Sequence, residues 1–98
     1  MTIQEVKRKL AAIFSADVKG YSRLMGEDEV TTLGTLSAYF QIMTTLIQKH
    51  QGKVLNIAGD NLLADFESVV DAVQCGVEIQ KELGTKNAEL AEGRRVEF

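Results

Sequence analysis

The stretch Gly52–Phe66, GKVLNIAGDNLLADF, constrains the fold more than any other part of the chain. Val54, Leu55 and Ile57 precede a Gly59-Asp60-Asn61 centre, and Leu62, Leu63 and Phe66 follow it. β-prone residues flanking residue types that tolerate positive φ define a tight hairpin of two short strands. The hairpin carries one carboxylate, Asp60, at its tip. A charge beside an apolar sheet needs a partner, because burying it unpaired is costly. A second carboxylate of the same kind lies upstream. Leu10–Asp17, LAAIFSAD, is a nearly continuous apolar run, the pattern of a central strand, and it ends on Asp17.

Helical periodicity fills the space between these strands. Gly20 allows a sharp turn after Val18-Lys19, and Tyr21–Met25 can form a short helix. Glu27–Glu29 places acidic residues where a helix N-terminus favours them. Val30, Leu33, Leu36, Phe40, Met43 and Ile47 then recur at three- and four-residue spacing up to His50, and Gly52 ends the run. Beyond the hairpin, Ser68 can cap a second long helix, with Asp71 close to a capping-box position. Its predicted buried stripe is Val69, Ala72, Val73, Gly76, Ile79 and Leu83, with Gly84 able to close it. Thr85–Gly93 reads as a loop and Arg94–Phe98 as the start of another strand, while residues 1–9 are polar and loose or weakly helical. The order strand, helix, strand, strand, helix, strand is the split βαβ plan. The expected fold is therefore α+β: a ferredoxin-like βαββαβ core, its antiparallel sheet covered on one face by two long helices. The last strand looks cut at its beginning. A single partial domain over residues 1–98 is expected, with an underfilled sheet edge that favours self-association.

Bulk properties exclude several classes of function. Apolar residues make up 45% and charged residues 26%, as in a globular domain. A net charge of −3 gives no electrostatic case for nucleic acid, and Lys7-Arg8-Lys9 is too short to supply one. No apolar run approaches the roughly 20 residues of a membrane span. The N-terminus, MTIQEVKRK, lacks the apolar core of a secretory signal. Cys75 stands alone, so it forms no internal disulfide and reads as a small buried filler. His50 reads as a solvated side chain in a last helical turn, since no second His or Cys joins it as a metal ligand. A cytoplasmic location, or the cytoplasmic part of a membrane protein, is expected.

In the ferredoxin-like plan the first strand neighbours the hairpin, so its end lies beside the hairpin tip and Asp17 meets Asp60. Two carboxylates at close range repel, and a divalent cation relieves the conflict. Oxygen ligands at an open position suit Mg²⁺ or Mn²⁺. Two such ions about 3.5–4 Å apart can activate an attacking oxygen and hold a leaving phosphate. The segment Lys19-Gly20-Tyr21-Ser22, leading into a helix, gathers backbone N–H groups at one spot that attracts phosphate. Taken singly, Asp17 also reads as a helix-capping residue and Asp60 as a turn residue. The metal reading depends on both together.

Arg8–Met25, RKLAAIFSADVKGYSRLM, resembles the opening of the class III nucleotidyl cyclase catalytic domain, bacterial type, found in adenylate and guanylate cyclases. The hairpin with GDNLLADF resembles the second metal-aspartate hairpin of that family, and Ser68–Gln80, SVVDAVQCGVEIQ, resembles the helix after it. The resemblance covers about residues 8–83. It implies two Mg²⁺ or Mn²⁺ ions held by Asp17 and Asp60 with the backbone carbonyl of Val18. It implies that N–H groups around Gly20, Tyr21 and Ser22 cradle the β and γ phosphates of ATP or a related nucleoside triphosphate. One ion would lower the pKa of the ribose 3′-hydroxyl, which attacks the α-phosphate to give cyclic AMP and pyrophosphate. Active sites in this family lie between two catalytic domains, so a head-to-tail homodimer is implied.

Two positions depart from the family pattern. Asn56 stands where the family has a purine-contacting lysine, and it can hydrogen-bond a base without bringing a charge. Asn61 stands where many members have Gly, and Asn tolerates the turn next best. The family's second base-selecting residue, and its transition-state asparagine and arginine, come from the half beyond Phe98. The resemblance therefore implies an adenylate cyclase-like lyase of signal transduction, with this chain inactive on its own. The alternative is a non-catalytic cyclase-like module for nucleotide sensing or regulatory dimerisation. Asn56 favours that alternative, and the retention of Asp17 and Asp60 opposes it. A different ferredoxin-like small-ligand sensor is opposed by the combination of GYSRLM and GDN.

Overall fold

The computed structural model describes residues 12–98. The order is β1 (Ala12–Asp17), α1 (Tyr21–Glu27), α2 (Glu29–Lys49), β2 (Gly52–Ala58), β3 (Asn61–Phe66) and α3 (Val69–Asn87), then a 3-10 turn at Glu92–Arg94. The predicted loose segment 1–9 and the first two residues of the predicted first strand lie outside the described residues.

β3 is the middle strand of an antiparallel sheet ordered β1-β3-β2. Its register runs from Ala12↔Phe66 to Asp17↔Asn61 on one side, and from Gly52↔Phe66 to Ala58↔Asn61 on the other. This is the α+β arrangement the element order predicts, with the hairpin beside the first strand. Alternation sorts the two faces. Ala16, Leu62, Ala64 and Phe66 are buried beneath the helices, with Phe14 and Val54 packed against the same core. Ile13, Ser15, Asp17, Asn61, Leu63 and Asp65 share the opposite, open face by register. A bulge at Leu55 interrupts β2: Val54 pairs with Ala64, but Asn56 pairs with Leu63. The extra residue reverses the alternation and puts Asn56 on the open face. The two-residue turn closes through Gly59 at φ 57°, the positive φ that glycine adopts without penalty.

α2 begins at Asp28, whose carboxylate accepts from the Thr31 N–H at 3.0 Å and the Thr31 hydroxyl at 2.8 Å. These bonds hold the Asp28 carboxyl below the usual carboxylate range. The Thr32 hydroxyl donates to the Leu24 carbonyl at 2.9 Å, which seats the first turns of α2 on α1. The buried stripe therefore starts at Thr32 and continues through Leu36, Tyr39, Phe40, Met43, Leu46 and Ile47. Val30 and Leu33, predicted for the core, lie off that stripe and are 82% and 45% exposed. By length and average composition alone, α2 would be long and apolar enough to cross a membrane, although Thr, Ser and Gln interrupt its apolar residues. Here its stripe packs on α1, β2 and α3.

α3 is capped as expected: the Ser68 hydroxyl accepts from the Asp71 N–H at 3.1 Å. Its buried row is Cys75, Ile79, Leu83 and Asn87. Val69 and Val73, predicted for the buried stripe, are 61% and 60% exposed. Val73 instead flanks a groove of about 520 Å³ along β1, with Phe14, Val77 and Phe98 among its lining. Burial pushes the Cys75 thiol up to about 11, with the Glu78 charge adding to the effect. A thiol so protonated is inert, in keeping with a filler. His50 is not solvated. Its Nε2 lies 2.7 Å from Glu78 Oε1, while Lys49 Nζ donates to Glu78 Oε2 at 3.0 Å.

The helix does not close at Gly84 but runs to Asn87, which anchors the C-terminal segment. The Tyr39 hydroxyl donates to Asn87 Oδ1 at 2.7 Å, and the Val96 N–H donates to the same oxygen at 3.1 Å. Asn87 Nδ2 donates to the Val96 carbonyl at 2.9 Å. The predicted strand at Arg94–Phe98 is not formed. Arg94 belongs to the 3-10 turn, and a side-chain amide takes up both backbone groups of Val96 where a strand would. Arg94 also ties this segment to the α1–α2 junction. Its guanidinium donates to the Asp28 carbonyl at 3.3 Å and to the Thr32 hydroxyl, and lies 3.5 Å from Glu27 Oε1.

Candidate functional site

The candidate site forms where β1 ends and the hairpin turns. Asp17 is paired with Asn61, the first residue of β3. One step further, the Val18 N–H donates to the Asp60 carbonyl at 3.0 Å. This bond carries the ladder past the ends of both strands and fixes the Asp60 turn against the residue after Asp17. The two aspartates, distant in sequence, are thus one register step apart, Asp17 at the end of β1 and Asp60 in the turn before β3. Asp17 is exposed and Asp60 half-buried. Among the described residues, no basic side chain forms an ion pair with either carboxylate. Nor does any group of three or more His, Cys, Asp or Glu residues gather at one place among them.

The Asn61 amide fills the angle between the strands. Its Nδ2 donates to Asp17 Oδ1 at 2.7 Å, to Ser15 Oγ at 3.1 Å and to the Ala16 carbonyl at 3.3 Å. The sequence marks Asn61 only as a turn residue. Counting the antiparallel register back from the turn would have placed its amide opposite Asp17.

Gly20 then reverses the chain at φ 64°, ψ 35° and serves as the N-cap of α1 without a side-chain cap bond. The Lys19 N–H is engaged, donating to the Glu97 carbonyl at 2.8 Å. Among the described residues, the N–H groups of Gly20, Tyr21 and Ser22 find no partner in the turn and cap hydrogen bonds, as the first turn of a helix requires. Tyr21 packs its ring against the core, and Ser22 is exposed. Asn56 lies on the same open face as Asp17 and Asn61, in the adjacent row with Leu63 and Ser15. β3 separates it from Asp17, a lateral distance of about 10 Å at ordinary strand spacing.

No family model matches the chain. It is 39% identical over 97 residues to "Putative adenylate cyclase 3" of Rhizobium meliloti (strain 1021), a match that covers 98% of this chain and 16% of that protein. Among solved structures, an adenylate/guanylate cyclase/hydrolase from Silicibacter pomeroyi aligns with a TM-score of 0.74 at 30% identity, covering 88% of this chain and 50% of that one. A bacterial light-regulated adenylyl cyclase aligns with a TM-score of 0.76 at 26% identity, covering 84% of this chain and 25% of that one. In sequence and in fold the chain is thus similar to class III adenylate and guanylate cyclases. It spans only 16% of the curated relative's length and half or less of these solved chains.

Proposed function

We propose that the protein is a nucleotidyl cyclase of the cytoplasm that converts ATP to cyclic AMP and pyrophosphate, and that this chain supplies the metal and phosphate half of a site completed by a second copy of the full-length protein. The observation that carries this reading is the Val18–Asp60 backbone bond, which brings the Asp60 turn beside Asp17. The donor set fits hard divalent cations. It offers two carboxylates that form no ion pair among the described residues, and a Val18 carbonyl that accepts no turn hydrogen bond among them. Mg²⁺ or Mn²⁺ ions held there would supply activation of an attacking hydroxyl and charge stabilisation on the transferring phosphate. The chain's own groups account for the rest of the half-site. Gly20, Tyr21 and Ser22 offer backbone N–H groups to phosphate oxygens, and Gly20 keeps that approach free of a side chain. Asn56 can hydrogen-bond a base edge from the open face. That face also carries exposed Ile13, which suits an interface with a second copy. The chain alone is expected to turn over no ATP.

Asn56 favours a second reading, a cyclase-like module that binds nucleotide or dimerises without catalysis, because an amide in that place brings no charge to the base. Calorimetric titration with Mn²⁺ and a non-hydrolysable ATP analogue tests the half-site in the wild type, Asp17→Asn and Asp60→Asn. The reading expects a metal-dependent heat that each substitution abolishes; equal heats in all three would refute it. Cyclic AMP formation by the full-length protein then separates a cyclase from a module that binds without turnover.

A further inference from the structure

We propose that Asn61 is a positioning residue for the metal site: its side-chain amide holds Oδ1 of Asp17 and leaves Oδ2 to a divalent cation. This inference rests on the reading of Asp17 as a metal ligand. A primary amide has two N–H bonds, and three oxygens of β1 surround Asn61 Nδ2. The shortest contact, 2.7 Å to Asp17 Oδ1, has the length of a charge-assisted hydrogen bond. The Ser15 hydroxyl and the Ala16 carbonyl lie within hydrogen-bond distance of the same nitrogen and help to orient the amide. The arrangement follows from register. Asn61 is the cross-strand partner of Asp17, and Ser15 sits two residues back on the same face.

An exposed aspartate at a strand end otherwise samples several rotamers. Fixing it before a cation arrives removes part of the ordering cost of binding. Pinning one oxygen also presents the other in a fixed direction, as hydrogen-bond partners of metal ligands commonly do. A glycine or alanine at position 61 would keep the strand and release the carboxylate.

The test is Mn²⁺ titration followed by electron paramagnetic resonance on the wild type, Asn61→Ala and Asp17→Asn, with a thermal melt of each. The clamp expects Asn61→Ala to weaken Mn²⁺ about 10-fold while its melt stays cooperative, and Asp17→Asn to abolish binding. Wild-type affinity in Asn61→Ala, with binding still lost in Asp17→Asn, overturns the clamp and leaves the metal reading intact. Unchanged binding in Asp17→Asn overturns the metal reading and the clamp with it. Should Asn61→Ala fail to fold, the side-chain ¹⁵N–¹H signals of Asn61 in the wild type decide. They are expected to move on addition of Mg²⁺ and to stay still in Asp17→Asn. Signals that ignore Mg²⁺ in the wild type overturn the clamp.

Discussion

Gly52→Ala is expected to destabilise the chain even though it removes a glycine from a strand. A Cβ built on Gly52 would press on Cε2 of Phe66 and lie 2.7 and 2.8 Å from its Cζ and Cδ2. Ordinary carbon–carbon contact is about 3.5–4.0 Å, so ring or backbone must move by roughly 1 Å. Neither moves freely. Phe66 is the cross-strand partner of Gly52, is 1% exposed, and meets the Phe14 ring edge-on at a centroid distance of 6.0 Å. Overpacking of this kind costs about 1–3 kcal/mol, whereas replacing a strand glycine by alanine gains about 0.5–1 kcal/mol. The net loss is about 1–2 kcal/mol, a fall of roughly 5–15 °C in Tm for a domain of this size. Thermal and urea unfolding followed by circular dichroism measure it. Phe66→Leu removes the clashing ring, so the double variant should be more stable than the sum of the single effects by about 1 kcal/mol. A Gly52→Ala chain as stable as the wild type, or a strictly additive double variant, would refute the reasoning.

Other substitutions have expected outcomes of different sign. Gly84→Ala, in the interior of α3 with nothing within 4 Å of its new Cβ, should stabilise by about 0.5–1 kcal/mol in the same unfolding assay. Tyr39→Phe removes one donor to Asn87 Oδ1 while the Val96 N–H remains, and should cost about 1 kcal/mol. Hydrogen bonds first from His50 and then from Lys49 hold the Glu78 carboxyl below its ordinary 4.5. A carboxyl depressed on folding contributes stability above its unfolded pKa and loses it as pH falls through the folded value. Melting curves should therefore show wild type above Glu78→Gln at neutral pH, with the gap closing as pH drops below 4.5. A gap that stays constant across that range would show that the carboxylate contributes nothing through its charge.

Much of the fold was legible in the sequence, and the failures share a physical cause. The hairpin, both long helices and the neighbourhood of Asp17 and Asp60 follow from periodicity, turn chemistry and a short list of allowed topologies. Pattern alone does not decide which of two adjacent apolar rows on a helix meets a neighbour. On α2 the hydrogen bond from Thr32 to Leu24 selects the row that leaves Val30 and Leu33 outside. On α3 the row through Cys75, Ile79 and Leu83 is buried, leaving Val69 and Val73 in the open. The Asn61 amide was hidden because its contact depends on exact register. Asn87 was missed because a polar residue beyond Gly84 reads as loop until its three buried hydrogen bonds are seen. The face of Asn56 depends on the bulge at Leu55, for which VLNIA carries no composition signal.

That bulge separates β2 into two halves phased independently. The half near α2 is locked by Gly52 against Phe66, and the half near the turn by Ala58 against Asn61. Leu55 takes up the one-residue difference between them, and is itself 49% exposed. A length change at this point would be absorbed without sliding the core half past β3 or rotating the turn that carries Asp60. The hairpin thus contains an expansion joint, which lets the end that packs on the core and the end that carries Asp60 keep separate registers with β3.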